Sequence, residues 1–132
     1  MPGDGKGWIK LYRQIEDNPY WLSEPFTRAQ AWVDLLLLAN HKPGHIRVRG
    51  IKVEVGRGQV GWSERELAKR WRWSRGKVRR FFSELGSKTV QQIEPQKNNV
   101  TTLITIVNYD RYQMDDTTNG TTDGPQTVPE QE

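Results

Sequence analysis

Apolar positions along this chain recur with two periods, and the switch between them marks out the elements. Trp8, Leu11, Tyr12 and Ile15 fall at i, i+3, i+4 and i+7, which predicts a short helix over 8–17 stopped by Asn18-Pro19. After the turn Ser23-Glu24-Pro25, Thr27 and Gln30 form a capping box that opens a second helix. Its stripe is Ala29, Trp32, Val33 and Leu36, and Leu35, Leu37 and Leu38 widen it until the helix is apolar nearly all round. A helix of that kind sits centrally in a domain or docks a partner. Beyond Pro43-Gly44 the period drops to two. Ile46 and Val48 alternate with Arg47 and Arg49, and Ile51, Val53 and Val55 with Lys52 and Glu54, predicting a hairpin about Gly50. Gln59-Val60-Gly61 reads as a short further strand.

The helical period then returns twice. Ser63 and Glu66 form a second capping box before a helix over 64–71, whose inward residues are Leu67, Ala68 and Trp71. Ser74 caps a helix over 75–85 with the stripe Val78, Phe81, Phe82 and Leu85, and Gly86 stops it. Val90–Glu94, a turn at 95–99 and Val100–Asn108 read as a closing hairpin, with Tyr109 and Tyr112 completing the domain. Two capped helices joined by Arg72-Trp73-Ser74 have the spacing of a helix-turn-helix, and the trailing hairpin supplies a wing. The expected fold is α+β: a winged helix-turn-helix with N-terminal helices, an extra β-hairpin and a C-terminal wing hairpin.

Composition bounds the function. A chain of 132 residues holds one domain, expected here over 8–113, between a flexible 1–7 and a disordered acidic tail over 114–132. There is no cysteine, so thiolate zinc sites and cysteine nucleophiles are excluded. The two histidines, His41 and His45, flank Pro43-Gly44 and read as loop residues. The run Gly56–Gly61 matches G-x-G-x-x-G, but the next helix is capped only at Ser63 and no parallel βαβ unit surrounds it. No catalytic constellation stands out, so the expectation is a protein that is not an enzyme and carries no cofactor or metal. Leu35–Ala39, the longest apolar run, is too short for a bilayer, and no signal peptide opens the chain. A cytoplasmic protein with no membrane partner is therefore expected.

Charge gives the sharpest signal. The net +4 combines a tail of −5 with a body of +9. Within the body, 65–80 holds eight basic residues against Glu66 alone, a local +7. At about 100° per residue, the face of the second capped helix opposite its core stripe carries Gly76, Arg80 and Ser83, with Lys77 and Arg79 beside it. A basic face with a small residue near the helix start suits close approach to a DNA major groove. Arg75, Arg79 or Arg80 could match guanine O6 and N7 in a bidentate way, while Arg72, Ser74, Lys77 and the wing-tip Lys97 suit backbone contacts. Trp71 and Trp73 read as packing residues rather than as base-stacking platforms.

The chain resembles the N-terminal winged-helix domains of phage replisome organisers and replication initiation proteins, which are related to DnaD-type primosomal proteins. The resemblance rests on Trp8–Arg13, Ala39–Lys42, Gly58-Gln59-Val60 with Ser63, Leu67 and Ala68, Trp73–Phe81, and Thr102–Gln113, in that order over about residues 8–113. It departs in two places: such proteins usually carry a further C-terminal domain, and Ser87-Lys88-Thr89 stands where a short turn is usual. It implies double-stranded DNA as partner, often at a replication origin of a phage or prophage, with recognition by the helix from Ser74 to Leu85. A replicative helicase or its loader is the protein partner it implies, and a homodimer is compatible with it. A small transcriptional regulator, or an interaction adaptor using the Leu-rich helix, are the alternative readings.

Overall fold

The structure, a computed structural model, describes residues 7–97 and 100–113. The expected tail over 114–132, residues 1–6 and the wing-tip pair Asn98-Asn99 lie outside the described residues. Ile9–Val107 form one compact unit; Gly7, Trp8 and Asn108–Gln113 are the described part of another, which includes the single helical turn α4 (Tyr109–Tyr112). The chain is mixed α and β. In order, it forms a 3-10 helix (Arg13–Asp17), α1 (Arg28–Leu38), β1 (Gly44–Val48), β2 (Ile51–Val55), β3 (Gln59–Val60), α2 (Glu64–Trp71), α3 (Arg75–Leu85), β4 (Ile93–Lys97), β5 (Thr102–Ile106) and α4. Among the described residues no helix is long and apolar enough to cross a membrane.

The N-terminal helix expected over 8–17 is reduced to the 3-10 helix Arg13–Asp17, and Ile9, Leu11 and Tyr12 remain exposed. Ten residues closed by Asn-Pro make a helix too short to hold without a surface for its stripe; of that stripe Trp8, Leu11 and Tyr12 are exposed and only Ile15 is half-buried. Helix α1 forms behind Thr27, whose hydroxyl accepts from Gln30 N–H, but the expected reciprocal box is not made, since Gln30 Nε2 donates to the Trp21 carbonyl at 2.8 Å; its buried face is Ala31, Asp34 and Leu35, while Ala29 is exposed. The fully buried positions are shifted from the expected stripe because Arg70 and the indoles of Trp21 and Trp71 converge on Asp34 and draw it inward. His45 is also corrected: it lies in β1, not in a loop.

Strands β1 and β2 pair antiparallel from Gly44↔Val55 to Val48↔Ile51. The connection is Arg49-Gly50, both at positive φ (49° and 81°), the backbone of a tight two-residue hairpin turn. A separate three-stranded antiparallel sheet has the order β3-β5-β4. The last hairpin is displaced from its expected bounds: β4 starts at Ile93 and runs through Pro95, which was read as turn. Pro95 fits because β4 is an edge strand and needs no donor on its open side. Between Gly86 and β4, Gln92 N–H donates to the Leu85 carbonyl and the Val107 N–H to the Gln92 carbonyl, which starts the pairing later than the composition suggested.

The two sheets share apolar packing. Val53, Val55 and Leu103 are buried together, with Ile46, Val48 and Val100 against them. Gly61 allows this approach, since a Cβ there would lie 3.1 Å from Ile46 Cδ1 and 3.3 Å from Val55 Cγ2. A second core is aromatic. Trp71 meets Trp73, Phe81 and Phe82 edge-on at centroid distances of 5.0, 6.0 and 6.5 Å, and Phe26 stacks on it at 6.3 Å. Edge-to-face rings at such distances gain quadrupole attraction beyond their buried area.

Candidate nucleic-acid interface

The α2–α3 pair is locally well determined. Ser63 and Glu66 complete a reciprocal capping box: Ser63 Oγ accepts from Glu66 N–H at 3.1 Å, and Glu66 Oε1 accepts from Ser63 N–H at 2.9 Å. Helix α2 ends at Arg72, whose left-handed backbone (φ 60°) turns the chain, and Ser74 Oγ caps α3 by accepting from Lys77 N–H at 3.1 Å. The turn is held from inside. Trp73 Nε1–H donates to the Phe26 carbonyl at 2.8 Å, and Trp71 and Trp73 are both buried, in their expected packing role. Gly86 stops α3 at φ −92°, not in the left-handed conformation, and a Cβ there would press on the Phe82 carbonyl at 3.3 Å.

Helix α3 buries Val78 and Phe81, with Phe82 and Leu85 half-buried, so its opposite side faces out as the wheel requires. Gly76, Arg79, Arg80, Ser83 and Glu84 line one open depression along that side. The Arg80 guanidinium lies back over Gly76, with Nη1 3.3 Å from where a Cβ would stand. An alanine there would crowd it.

The cations of 65–80 are not equivalent. Arg70 belongs to the interior. Its Nε donates to Asp34 Oδ2 at 2.6 Å, and its Nη2 donates to Asp34 Oδ1 and to Glu16 Oε1, both at 2.9 Å. Asp34 is fully buried and also accepts from Trp71 Nε1–H at 2.7 Å and Trp21 Nε1–H at 3.2 Å. The Asp34 hydrogen bond, opposed by burial, holds the Arg70 guanidinium above its ordinary pKa. The +7 read over 65–80 thus overstates the charge that faces solvent.

Arg72 donates to the Ser23 carbonyl at 3.1 Å, which ties the turn to the segment before α1. Lys77, half-buried, has its Nζ 4.4 Å from the Trp73 ring centroid, a cation–π contact. Arg79 donates to Glu64 Oε1 at 3.0 Å, and Arg75 stands 3.9 Å from the same oxygen. Arg80 makes no ion pair among the described residues. Lys97 ends β4, opposite Thr102 and exposed, and is not part of α3. The structure therefore gathers Gly76, Arg79, Arg80 and Ser83 in one depression and holds Arg75 and Arg79 on one carboxylate. Arg72 and Ser74 serve the turn and the cap.

Two functional groups escaped the sequence reading. Glu64 lies fifteen positions before Arg79, so no local spacing could pair them. Asp34 did carry a signal, a lone acid inside an apolar helix, but its cation sits thirty-six residues away. The run Gly56–Gly61 links β2 to β3 within antiparallel sheets and stops short of the Ser63 cap. Searches against known protein families, curated proteins and solved structures each return no match for this chain.

Proposed function

We propose that this chain is a winged-helix protein that binds double-stranded DNA, with α3 in the major groove. The observation that carries the reading is the outward row of α3. Gly76, Arg80 and Ser83 line an open depression with Arg79, backed by a rigid aromatic core and preceded by a capped, tethered turn. The order α2, α3 and the β4–β5 hairpin, with β3 completing a three-stranded antiparallel sheet, supports the winged form. Arginine suits this position because its planar fork can take guanine O6 and N7 together, while Lys77 and Lys97 neutralise phosphates and release counterions. Assignment to replication initiation in a phage or prophage, as a replisome organiser that engages a helicase or its loader, rests on the family resemblance.

The test is charge reversal. Arg79→Glu with Arg80→Glu abolishes binding to a duplex selected from a random library and leaves the circular dichroism spectrum unchanged. Duplex binding equal to that of the wild-type protein would refute the recognition role of α3. With about five phosphate contacts, log K against log salt slopes by roughly −4 to −5, whereas a flat response points to a protein partner instead.

A further inference from the structure

We infer that the tip of the β1–β2 hairpin is a second contact to the phosphates of the same duplex. This inference rests on the DNA-binding reading and adds a surface that lies outside the α2–α3 unit. Residues 47–52 read Arg-Val-Arg-Gly-Ile-Lys, three cations and no acid within one turn. Arg47 and Lys52 stand directly opposite each other in the strand register. Like charges in that position repel and weaken a hairpin, so a two-stranded ribbon gains nothing from them in isolation. Neither Arg47 nor Arg49 meets a carboxylate among the described residues; Arg47 Nη1 donates to the Gly50 carbonyl and Arg49 Nη2 to the Val100 carbonyl, both at 3.2 Å, while Lys52 Nζ stands 3.7 Å from Glu54 Oε2 in an exposed pair that solvent screens.

Arg49 carries a second anomaly. It occupies a positive-φ turn position (49°) at which glycine, asparagine or aspartate would fit with less strain. An arginine there places a cation where a neutral turn former would fit with less strain. Its bond to Val100 latches the hairpin tip to the β4–β5 connection. Val48 and Val100 reinforce the latch by packing on the shared core of Val53, Val55 and Leu103. The bond and this packing tie the β1–β2 turn to Val100, and Lys97, which ends β4, adds a further exposed cation. A cluster of cations on the hairpin turn suits the sugar-phosphate backbone, a contact that positions a duplex without reading its sequence. Ile51, half exposed beside the turn, adds an apolar contact for the sugar edge.

The experiment compares three forms of the full chain on one library-selected duplex over a salt series: wild type, Arg47→Ala with Lys52→Ala, and Arg79→Glu with Arg80→Glu. The hairpin variant is expected to bind about ten- to a hundred-fold more weakly near 0.1 M salt, with its log–log slope shallower by about 1.8, the value for two lost phosphate contacts. Its preferred sequence is expected to stay unchanged, because the base-reading residues are intact. Removing a like-charge pair should not lower the melting temperature. If it does, Arg47→Gln with Lys52→Gln keeps the apolar stems of both side chains and takes its place. A hairpin variant with wild-type affinity and slope overturns the inference while leaving the α3 reading standing. That outcome would also be expected if the tip served an acidic protein surface. A wild-type chain that binds no duplex refutes the α3 reading itself.

Discussion

Replacing Asp34 by alanine should be the most damaging single substitution in this fold. The carboxylate is fully buried and accepts from Arg70 through both oxygens and from the indoles of Trp21 and Trp71. Its removal leaves the Arg70 guanidinium, only 11% exposed, with Glu16 as its remaining partner. Glu16 is 41% exposed, so its attraction is screened and replaces little of what is lost. Breaking a buried ion pair from one side costs about 3–5 kcal/mol. The Trp71 N–H is orphaned as well, but such costs are not additive within one network, and about 4 kcal/mol is the expected total. With a urea slope of about 1.5 kcal/mol per molar, the unfolding midpoint should fall by between about 2 and 3 M. Tryptophan fluorescence reads the transition directly, because Trp21 and Trp71 both bond to the lost group. Asp34→Leu combined with Arg70→Leu should recover most of the loss, since no charge is then left buried alone. A single-variant shift below about 0.5 M, or a double variant no better than the single, would refute the claim that this network holds α1 to α2.

The Arg70 contribution should be insensitive to alkali. A guanidinium whose pKa is raised in the fold keeps its stabilisation below its unfolded pKa and loses it only as pH rises through the higher folded value. The stability difference between wild type and Arg70→Leu is thus the same at about pH 7 and pH 10, and a difference that shrank over that span would contradict the assignment. Glu64→Gln should raise affinity for random-sequence duplex about three- to tenfold at low salt, because it removes a charge and releases Arg75 and Arg79. Unchanged or weaker binding in a mobility-shift titration would show that this carboxylate does not compete with DNA. Gly61→Val should cost about 1–3 kcal/mol in thermal unfolding by driving β3 away from Ile46 and Val55. Deleting residues 114–132, which carry five acids and no base, should tighten duplex binding at low salt, and weaker binding would give that segment a positive role.

Where local chemistry decides, the sequence was readable. The Thr27, Ser63 and Ser74 caps and the bounds of α2 and α3 follow from side chains bonding to backbone a few residues away, and α3's core stripe follows from period alone, whereas Arg49, expected in the strand, proves to be part of the turn. The outward row of α3 was legible for the same reason, because one helix places its own residues on fixed faces. Distant partners were not legible. A periodic pattern over 8–17 cannot say whether a surface exists to receive it, so the helix expected there shrank to Arg13–Asp17. Asp34 turned inward against its polarity because Arg70 and two indoles converge on it from elsewhere in the chain. The same convergence took Arg70 out of the basic face and set Glu64 under Arg75 and Arg79. The sequence by itself determined the caps and bounds of α2 and α3 and which face of α3 is basic, since these depend on neighbours within about one turn. Only the tertiary structure decided which of those charges are free to meet another molecule, because in a folded chain a charge is assigned by what packs against it.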